Sequence, residues 1–222
     1  MDTPIIIFGA SNKGQAALEI FQGNGLIVYG FLDDGETLVK ERKTYGHVSV
    51  LGGTKDPTFL RLLGEKCHPF IALERVDEAL SLITQLGQEK KLHPLNAIHP
   101  STNLAKEVRL GAGNLIHVGS SIGNDTVIHS HCALMGHVMI GHGVTLHDFV
   151  HIAPGAIVNP HVTLGEAAYV GSGAMIQPGL TIGARAHIAP GAVVLQDVPD
   201  GILVGGNPAQ PIQPVQRPPK KS

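Results

Sequence analysis

Several features that would point to common protein classes are missing from this chain of 222 residues. Tryptophan is absent and aromatic residues make up only 4% of the sequence. The net charge of −2 gives no basic footprint, which argues against nucleic acid as a partner. The two cysteines, Cys67 and Cys132, form no CxxC pair, so buried, reduced thiols in a cytosolic protein are the simplest interpretation.

Long apolar runs are also missing. The apolar stretch Ile5–Phe8 follows an N-terminus without a basic segment, and it is too short for a signal peptide or a membrane span. We therefore expect a cytoplasmic protein with no membrane insertion.

The second half of the chain carries an unbroken six-residue repeat. Every sixth residue from Ile98 to Val194 is aliphatic, and the residue four positions later is mostly small or β-branched. Period six fits neither an α-helix nor a lone hairpin, but it is typical of a parallel β-helix. Three hexapeptides then form one coil of a triangular prism, with the aliphatic and the small side chains pointing inward. Cys132 lies on one of the small inward positions.

The first ninety-odd residues alternate between predicted strands and helices. Strands are predicted over Ile5–Phe8, 26–32, 48–51 and 69–73, and helices over 15–22, 55–63 and 75–86. This alternation predicts a small, parallel, doubly wound sheet, in which ligands bind beyond the carboxyl ends of the strands.

Two loops at those strand ends are candidate ligand contacts. The turn from Gly9 to Gly14 has Ser11 where a dinucleotide fingerprint has its second glycine, and no Lys-Ser/Thr pair follows, so neither that site nor a P-loop is predicted. A tight turn that binds nothing is the alternative. Asp33 and Asp34 end the second strand, where acidic side chains hold ribose hydroxyls or base N–H groups. Together the loops fit a nucleotide or nucleotide sugar better than NAD.

Motifs along nearly the whole chain, from Ile5 to Ile212, resemble one family. The carriers are Phe8-Gly-Ala-Ser-Asn-Lys-Gly14, Gly30-Phe-Leu-Asp-Asp34, Val50-Leu-Gly-Gly53, Ile98-His-Pro-Ser101, Asp148-Phe-Val-His-Ile-Ala-Pro-Gly155 and Val204-Gly-Gly-Asn-Pro-Ala209. They resemble the bacterial hexapeptide-repeat sugar acetyltransferases, which include sialic acid O-acetyltransferases and UDP-amino-sugar N-acetyltransferases.

The resemblance implies an organisation and a set of partners. An α/β Rossmann-like domain is expected over 1–95, a left-handed parallel β-helix over 96–205 and a C-terminal tail over 206–222. A homotrimer is expected to bind acetyl-CoA in the groove between neighbouring prisms and a nucleotide-linked amino sugar on the N-terminal domain. The implied reaction is N-acetylation of that sugar for surface polysaccharide synthesis. O-acetylation of a sugar hydroxyl and a non-catalytic nucleotide-sugar binder are the alternatives.

The resemblance also assigns roles to single residues. The catalytic base falls on His142, since an imidazole near neutrality removes a proton from an attacking amine. The acetyl-CoA contacts fall on His151, Ser172 and Pro190. Substrate contacts fall on five residues in the two N-terminal loops: Ser11, Asn12, Lys13, Asp33 and Asp34.

The chain departs from the family pattern at two of these places. The acidic residue that usually follows the catalytic histidine is Gly143, and the glycine whose N–H usually faces the thioester carbonyl is Pro160, which has no N–H. Asp125, one coil before Gly143, is a candidate replacement that orients His142. These changes favour the non-catalytic alternative.

Ten of the thirteen histidines lie within the repeat, and none is on an inward position. Most are therefore expected to face solvent. A metal site made by His129 and His131, or by His147 with symmetry copies, is a further interpretation. No spacing here matches a zinc motif, so no metal is expected.

Overall fold

A computed structural model of the chain describes residues 3–89 and 94–212. The part of the expected C-terminal tail (206–222) from 213 onward lies outside the described residues.

The N-terminal part is a five-stranded sheet with helices on its faces. Its elements are β1 (Ile5–Phe8), α1 (Asn12–Gly23), β2 (Val28–Leu32), α2 (Glu36–Lys40), β3 (Thr44–Tyr45), β4 (Val48–Gly52), α3 (Pro57–Leu60), β5 (His68–Ile71) and α4 (Val76–Glu89). The strand order is β3-β4-β2-β1-β5, and all neighbours are parallel except the β3–β4 pair. The order reverses between β1 and β5, so a ligand crevice is expected at their carboxyl ends.

The predicted sheet is confirmed, and its edge differs from the prediction. The sequence pattern did not reveal α2 or the two-residue strand β3, which forms a hairpin with β4. α3 covers only Pro57–Leu60, against the prediction of 55–63. It starts at Asp56, whose carboxylate accepts a hydrogen bond of 2.8 Å from the Thr58 N–H, and Pro57 stands at its first position.

The second part is a left-handed parallel β-helix. Its strands are β6 (Ala97–Ile98), β7 (Asn103–Leu104), β8 (Arg109–Leu110), β9 (Leu115–Ile116), β10 (Ser121–Ile122), β11 (Val127–Ile128), β12 (Ala133–Leu134), β13 (Met139–Ile140), β14 (Thr145–Leu146), β15 (His151–Ile152), β16 (Ile157–Val158), β17 (Thr163–Leu164), β18 (Tyr169–Val170), β19 (Met175–Ile176), β20 (Thr181–Ile182), β21 (His187–Ile188), β22 (Val193–Val194), β23 (Leu203–Gly205) and β24 (Gln210–Pro211). From β6 to β22, each strand ends on one of the predicted aliphatic residues.

From β6 to β22 these strands build three parallel sheets with the predicted offset of 18 residues, as in the pairing of Ala133 with His151, and β23 and β24 extend one of them, with β24 antiparallel to β23. The aliphatic residues and the small ones four positions later, Cys132 included, form one continuous buried core. Because side chains alternate between the faces of a strand, the first residue of each two-residue strand points outward. We call the sheets by their strands: the β12 sheet holds β6, β9, β12, β15, β18, β21, β23 and β24, and the β13 sheet holds β7, β10, β13, β16, β19 and β22.

The N-terminal part packs on the first coils of the β12 sheet. Its core cluster includes the outward residues Ala97, Leu115 and Ala133 of that sheet, all buried. Polar contacts support the packing, such as the Asn24 side chain, which donates to the Ile98 carbonyl at 2.9 Å, and the ion pair between Arg185 and Asp77 at 3.1 Å. Further along the same sheet, the outward residues change to His151, Tyr169 and His187, and this face is left open.

Candidate functional site

A cavity of about 600 Å³ lies where the covered part of the β12 sheet gives way to the open part. The N-terminal part contributes the start of α1 and the loop after β5, and the prism contributes the outward face of β15, β18 and β21. Its polar lining residues are Asn12, Lys13, Glu74, His131, His151, Tyr169, Ser172 and His187. Four residues predicted as contacts, Asn12, Lys13, His151 and Ser172, therefore come together in one cavity.

The remaining predicted contacts lie elsewhere. Pro190 is exposed one coil beyond Ser172, and its backbone stacks on Gly171 rather than lining this cavity. Ser11, Asp33 and Asp34 line a neighbouring shallow cavity of about 340 Å³ at the β1–β5 crevice, which also contains Glu74. The two cavities share Leu73 and Glu74, so they are adjacent ends of one cleft.

Asp33 and Asp34 fix the loops of that crevice. Asp33 accepts hydrogen bonds of 2.8 Å from the N–H groups of Ala10 and Gly35, and Asp34 accepts from the N–H and the hydroxyl of Thr54 at 2.8 and 2.7 Å. Carboxylates held by several donors are fixed in position, and each oxygen keeps acceptor capacity for a ligand. Ser11 differs from them, since its buried hydroxyl has no hydrogen-bond partner among the described residues.

Lys13 gives the larger cavity its positive charge. Burial lowers the pKa of its ammonium to about 8, although Cys132 and Glu74 act in the opposite direction. Among the described residues, no hydrogen bond or ion pair engages this ammonium. A half-buried cation without a partner favours an anionic group of a ligand beside it.

His151 lies on the opposite wall of the cavity as a neutral imidazole. Burial, followed by repulsion from Lys13, lowers its pKa to about 4, with Glu74 opposing the shift. A neutral imidazole still carries one N–H donor, so it donates a hydrogen bond without charge at neutral pH. Its ring stacks on Tyr169 at 5.2 Å between centroids, and Tyr169 stacks on His187 at 4.3 Å. This column of rings makes a flat wall of the kind that holds planar or apolar parts of a ligand.

His131 is an exception among the repeat histidines, most of which are expected to face solvent. It is only 8% exposed, because it lies at the junction of the two parts and stacks on Phe149 at 5.2 Å. Burial, followed by Lys13, lowers its pKa to about 4, and its Nδ1 has no hydrogen-bond partner in the described part of the chain. The sequence reasoning counted positions relative to the prism core alone, so it missed burial by the N-terminal part.

His142 lies outside this cavity. It is exposed at the corner that follows β13, whereas His151 lies on the β12 sheet, another face of the prism. Its ring meets the edge of the His161 ring, with centroids 4.3 Å apart and planes at 76°. No hydrogen bond or ion pair joins the His142 ring to a side chain among the described residues. In particular, the expected partner Asp125 lines a shallow groove with Lys106 and Arg109.

The two departures from the family pattern have a clear local structure. Gly143 takes a left-handed conformation with φ of +65°, and a Cβ there would lie 2.7 Å from Nδ1 of His161. Pro160 has no N–H, and the N–H groups on either side of it are used within the prism. Asn159 donates to the Ile176 carbonyl at 3.2 Å and His161 to the His142 carbonyl at 3.0 Å. Residues 159–161 therefore have no free backbone N–H group that could donate a hydrogen bond to an oxyanion.

Two other groups of residues do not form reactive centres. Burial raises the pKa of the Cys132 thiol to about 12, so this core thiol is protonated. Within residues 3–89 and 94–212, no three His, Cys, Asp or Glu side chains gather in a way that could hold a metal ion. No helix in the same ranges is long and apolar enough to cross a membrane.

Comparisons with known proteins agree with this architecture. Residues 161–196 match the family described as bacterial transferase hexapeptide (six repeats). No curated protein sequence matches the chain significantly.

Solved structures cover almost the whole chain. A His-to-Asn mutant of perosamine N-acetyltransferase from Caulobacter crescentus, in complex with CoA and GDP-perosamine, is 26% identical with a TM-score of 0.86, over 96% of this chain and 99% of that one. WeeI from Acinetobacter baumannii is 26% identical with a TM-score of 0.81, over 95% and 100%. The acetyltransferase domain of PglB from Neisseria gonorrhoeae, in complex with acetyl coenzyme A, is 24% identical with a TM-score of 0.86, over 96% and 100%, and this likeness shows the fold.

The repeat match and the likeness over both parts of the chain agree with the family indicated by the sequence motifs. The chain carries the bacterial transferase hexapeptide repeat, and its likeness over both parts to a sugar N-acetyltransferase that binds CoA makes it an acetyltransferase enzyme.

Proposed function

We propose that the protein transfers an acetyl group from acetyl-CoA to the amino group of a nucleotide-linked deoxy-amino sugar, for surface polysaccharide synthesis in the cytoplasm. The observation that carries this proposal is the match, over nearly the full length of both chains, to an enzyme whose solved structure contains CoA and GDP-perosamine. The cleft formed by both parts of the chain supports it, since a long, polar cleft suits a nucleotide sugar.

The cleft suggests an orientation for the substrates. The crevice at Ser11, Asp33 and Asp34 would hold the nucleotide, and the cavity with Asn12 and Lys13 the diphosphate and sugar. Acetyl-CoA would extend along the prism and contact His151, Ser172 and Pro190. We also keep the division into domains over 1–95 and 96–205 with a tail over 206–222 as part of this proposal.

The reaction needs a neutral amine. Its nitrogen attacks the thioester carbonyl, a C–N bond forms, the C–S bond breaks, and the sulfur leaves as CoA thiolate, which takes up a proton. His142 would accept the proton that the nitrogen loses. Residues 159–161 offer no free backbone donor, and His151 would contact acetyl-CoA near its thioester and hold it in the cavity.

We further propose that the enzyme is a homotrimer. The outward residues of the β13 sheet form an apolar row of Met139, Ile157, Met175 and Val193, and Met139 is 56% exposed. Such a row on the surface is typical of a protein interface. His142 follows directly on β13 at the edge of this row. A neighbouring prism packed there would bring its open cavity to His142. The trimer would thus join the cavity and His142, which lie on different faces of one protomer.

A panel of UDP-, dTDP- and GDP-linked amino sugars, assayed for release of free CoA with acetyl-CoA present, tests the reaction. We expect CoA release with amino sugars and none with the matching sugars that carry a hydroxyl in place of the amine. Release with the hydroxyl sugars would instead show an O-acetyltransferase. Binding of nucleotide sugars without release would show the non-catalytic binder that Gly143 and Pro160 favour.

A further inference from the structure

The structure places His161 where it can control the ring of His142. Both belong to the corner that follows β13 and β16, and consecutive coils stack His161 over Gly143. Their centroid separation of 4.3 Å is short for an edge-to-face pair, which usually lies between about 4.5 and 7 Å. Because no other side chain bonds to the His142 ring among the described residues, this contact is the one that limits its rotation.

Gly143 and His161 depend on each other. A side chain at 143 would place its Cβ 2.7 Å from Nδ1 and 3.1 Å from Cε1 of the His161 ring. The ring therefore occupies the space that an acidic side chain at 143 would need. Glycine also lies under a corner histidine at Gly113 with His131 and at Gly119 with His137. Among the described residues, Gly143 is the only one of these three glycines at which a second histidine, His142, contacts the upper ring.

We propose that His161 is the positioning residue of the catalytic base and replaces the acidic neighbour that Gly143 lacks. This inference rests on the proposed function, in which His142 is the base. A general base must present its free nitrogen to the substrate, and a fixed ring avoids the loss of catalysis that follows from a wrong orientation or tautomer. His161 fixes the ring by edge-to-face contact and leaves the site without the negative charge of a carboxylate.

The missing carboxylate has a consequence for the acceptor. An acidic neighbour stabilises the imidazolium that forms as the base takes a proton. A hydroxyl acceptor requires that proton transfer during its attack, whereas a neutral amine attacks first and loses its proton afterwards. A histidine base that is held in position but has no carboxylate beside it is therefore sufficient for an amine acceptor and poorly suited to a hydroxyl acceptor.

A swap of the two positioning arrangements tests the proposal. His161→Gly removes the ring at a residue whose φ of +61° suits glycine. We expect kcat to fall about ten-fold while the KM values for both substrates stay within about two-fold, since only orientation is lost. Adding Gly143→Asp to His161→Gly should recover most of the lost kcat, because the space is now free. The backbone accepts Asp there, as Asp125 has φ of +59° at the same corner one coil earlier.

Gly143→Asp should have a different effect alone from the effect it has together with His161→Gly. Gly143→Asp alone should be worse than either His161→Gly or the double variant, because its Cβ meets the His161 ring. His137→Gly is the matched control. His137 has φ of +59°, its ring lies over Gly119 at a corner of the prism, and it contacts no catalytic group. It should keep kcat within about two-fold of the starting enzyme.

The outcomes separate this proposal from the proposed function. Unchanged kcat in His161→Gly, or a double variant no more active than His161→Gly, overturns the positioning role while acetyl transfer stands. A loss of activity in His161→Gly as complete as in His142→Ala would make His161 a proton acceptor itself, which also contradicts the proposal. Absence of CoA release by the unmodified enzyme across the whole sugar panel would instead reject the function.

Discussion

The cavity between the two parts of the chain and the corner at His142 differ in almost every physical respect. The cavity is sheltered and charged, and burial lowers the pKa values of Lys13 and His151 within it. The corner is exposed, has no carboxylate bonded to its histidine, and is organised by ring contact between His142 and His161. One surface is suited to hold ligands and the other to accept a proton. The proposed trimer joins them, which no single protomer does.

The largest expected effect separates chemistry from binding. His142→Ala should lower kcat by roughly 10²- to 10⁴-fold and leave acetyl-CoA affinity nearly unchanged, because the corner lies outside the cavity. Steady-state kinetics combined with calorimetric titration of CoA measures both quantities. Near-normal turnover by His142→Ala would reject the base, and the amine would then be activated by binding alone.

His151 should show the opposite pattern. His151→Ala removes a cavity wall and a hydrogen-bond donor, so we expect the KM for acetyl-CoA to rise about ten-fold, which corresponds to about 1.4 kcal/mol. The fall in kcat should be smaller than for His142→Ala. His147→Ala is the matched control, because His147 is an exposed histidine of the same coil that stacks on His129 away from the cavity. A larger effect on kcat than on KM would place His151 in the chemical step.

Lys13 should make substrate use depend on pH. Its folded pKa of about 8 is lower than its ordinary value of 10.5, so its charge disappears as pH rises through 8. If the ammonium binds an anionic group, kcat/KM for the nucleotide sugar should fall roughly ten-fold between pH 7 and 9. Lys13→Arg, which keeps its charge, should remove this fall.

The lowered pKa of Lys13 should make the folded protein more stable as pH rises, whereas it makes substrate use weaker. Between pH 8 and 10.5 the unfolded chain binds more protons at Lys13 than the folded one, so this residue adds stability as pH rises. Lys13→Met should abolish that contribution in thermal unfolding. A pH profile of unfolding identical in Lys13→Met and the unmodified protein would contradict the burial of this charge.

The smallest effect is expected at Asp125. Because its carboxylate makes no hydrogen bond to His142 and lines a groove with Lys106 and Arg109, Asp125→Asn should keep kcat within about two-fold. Asparagine also accepts the left-handed conformation of this corner. A loss of activity comparable with that of His161→Gly would return Asp125 to the role that the sequence first suggested.

The sequence predicted the prism and the parallel sheet because both depend on local periodicity. The hexapeptide repeat located all seventeen prism strands from β6 to β22. It did not predict the burial of His131, because that burial comes from the N-terminal part packing on the coil. The contact between His142 and His161 was also missed, although the two are 19 residues apart and a coil is 18. Counting one coil forward from Gly143 would have brought them together, whereas the sequence analysis counted one coil back, to Asp125.

The most direct test of the joined surfaces is mixing of subunits. Two impaired variants, His142→Ala and the double variant Lys13→Met/His151→Ala, would be co-expressed with different tags, and enzyme carrying both tags isolated. If each site takes His142 from one protomer and the cavity from its neighbour, the mixed enzyme should recover about one third of the normal sites, because every trimer that holds both variants has one complete site of three. Acetyl transfer no higher than that of the separate variants would contradict a site shared between protomers.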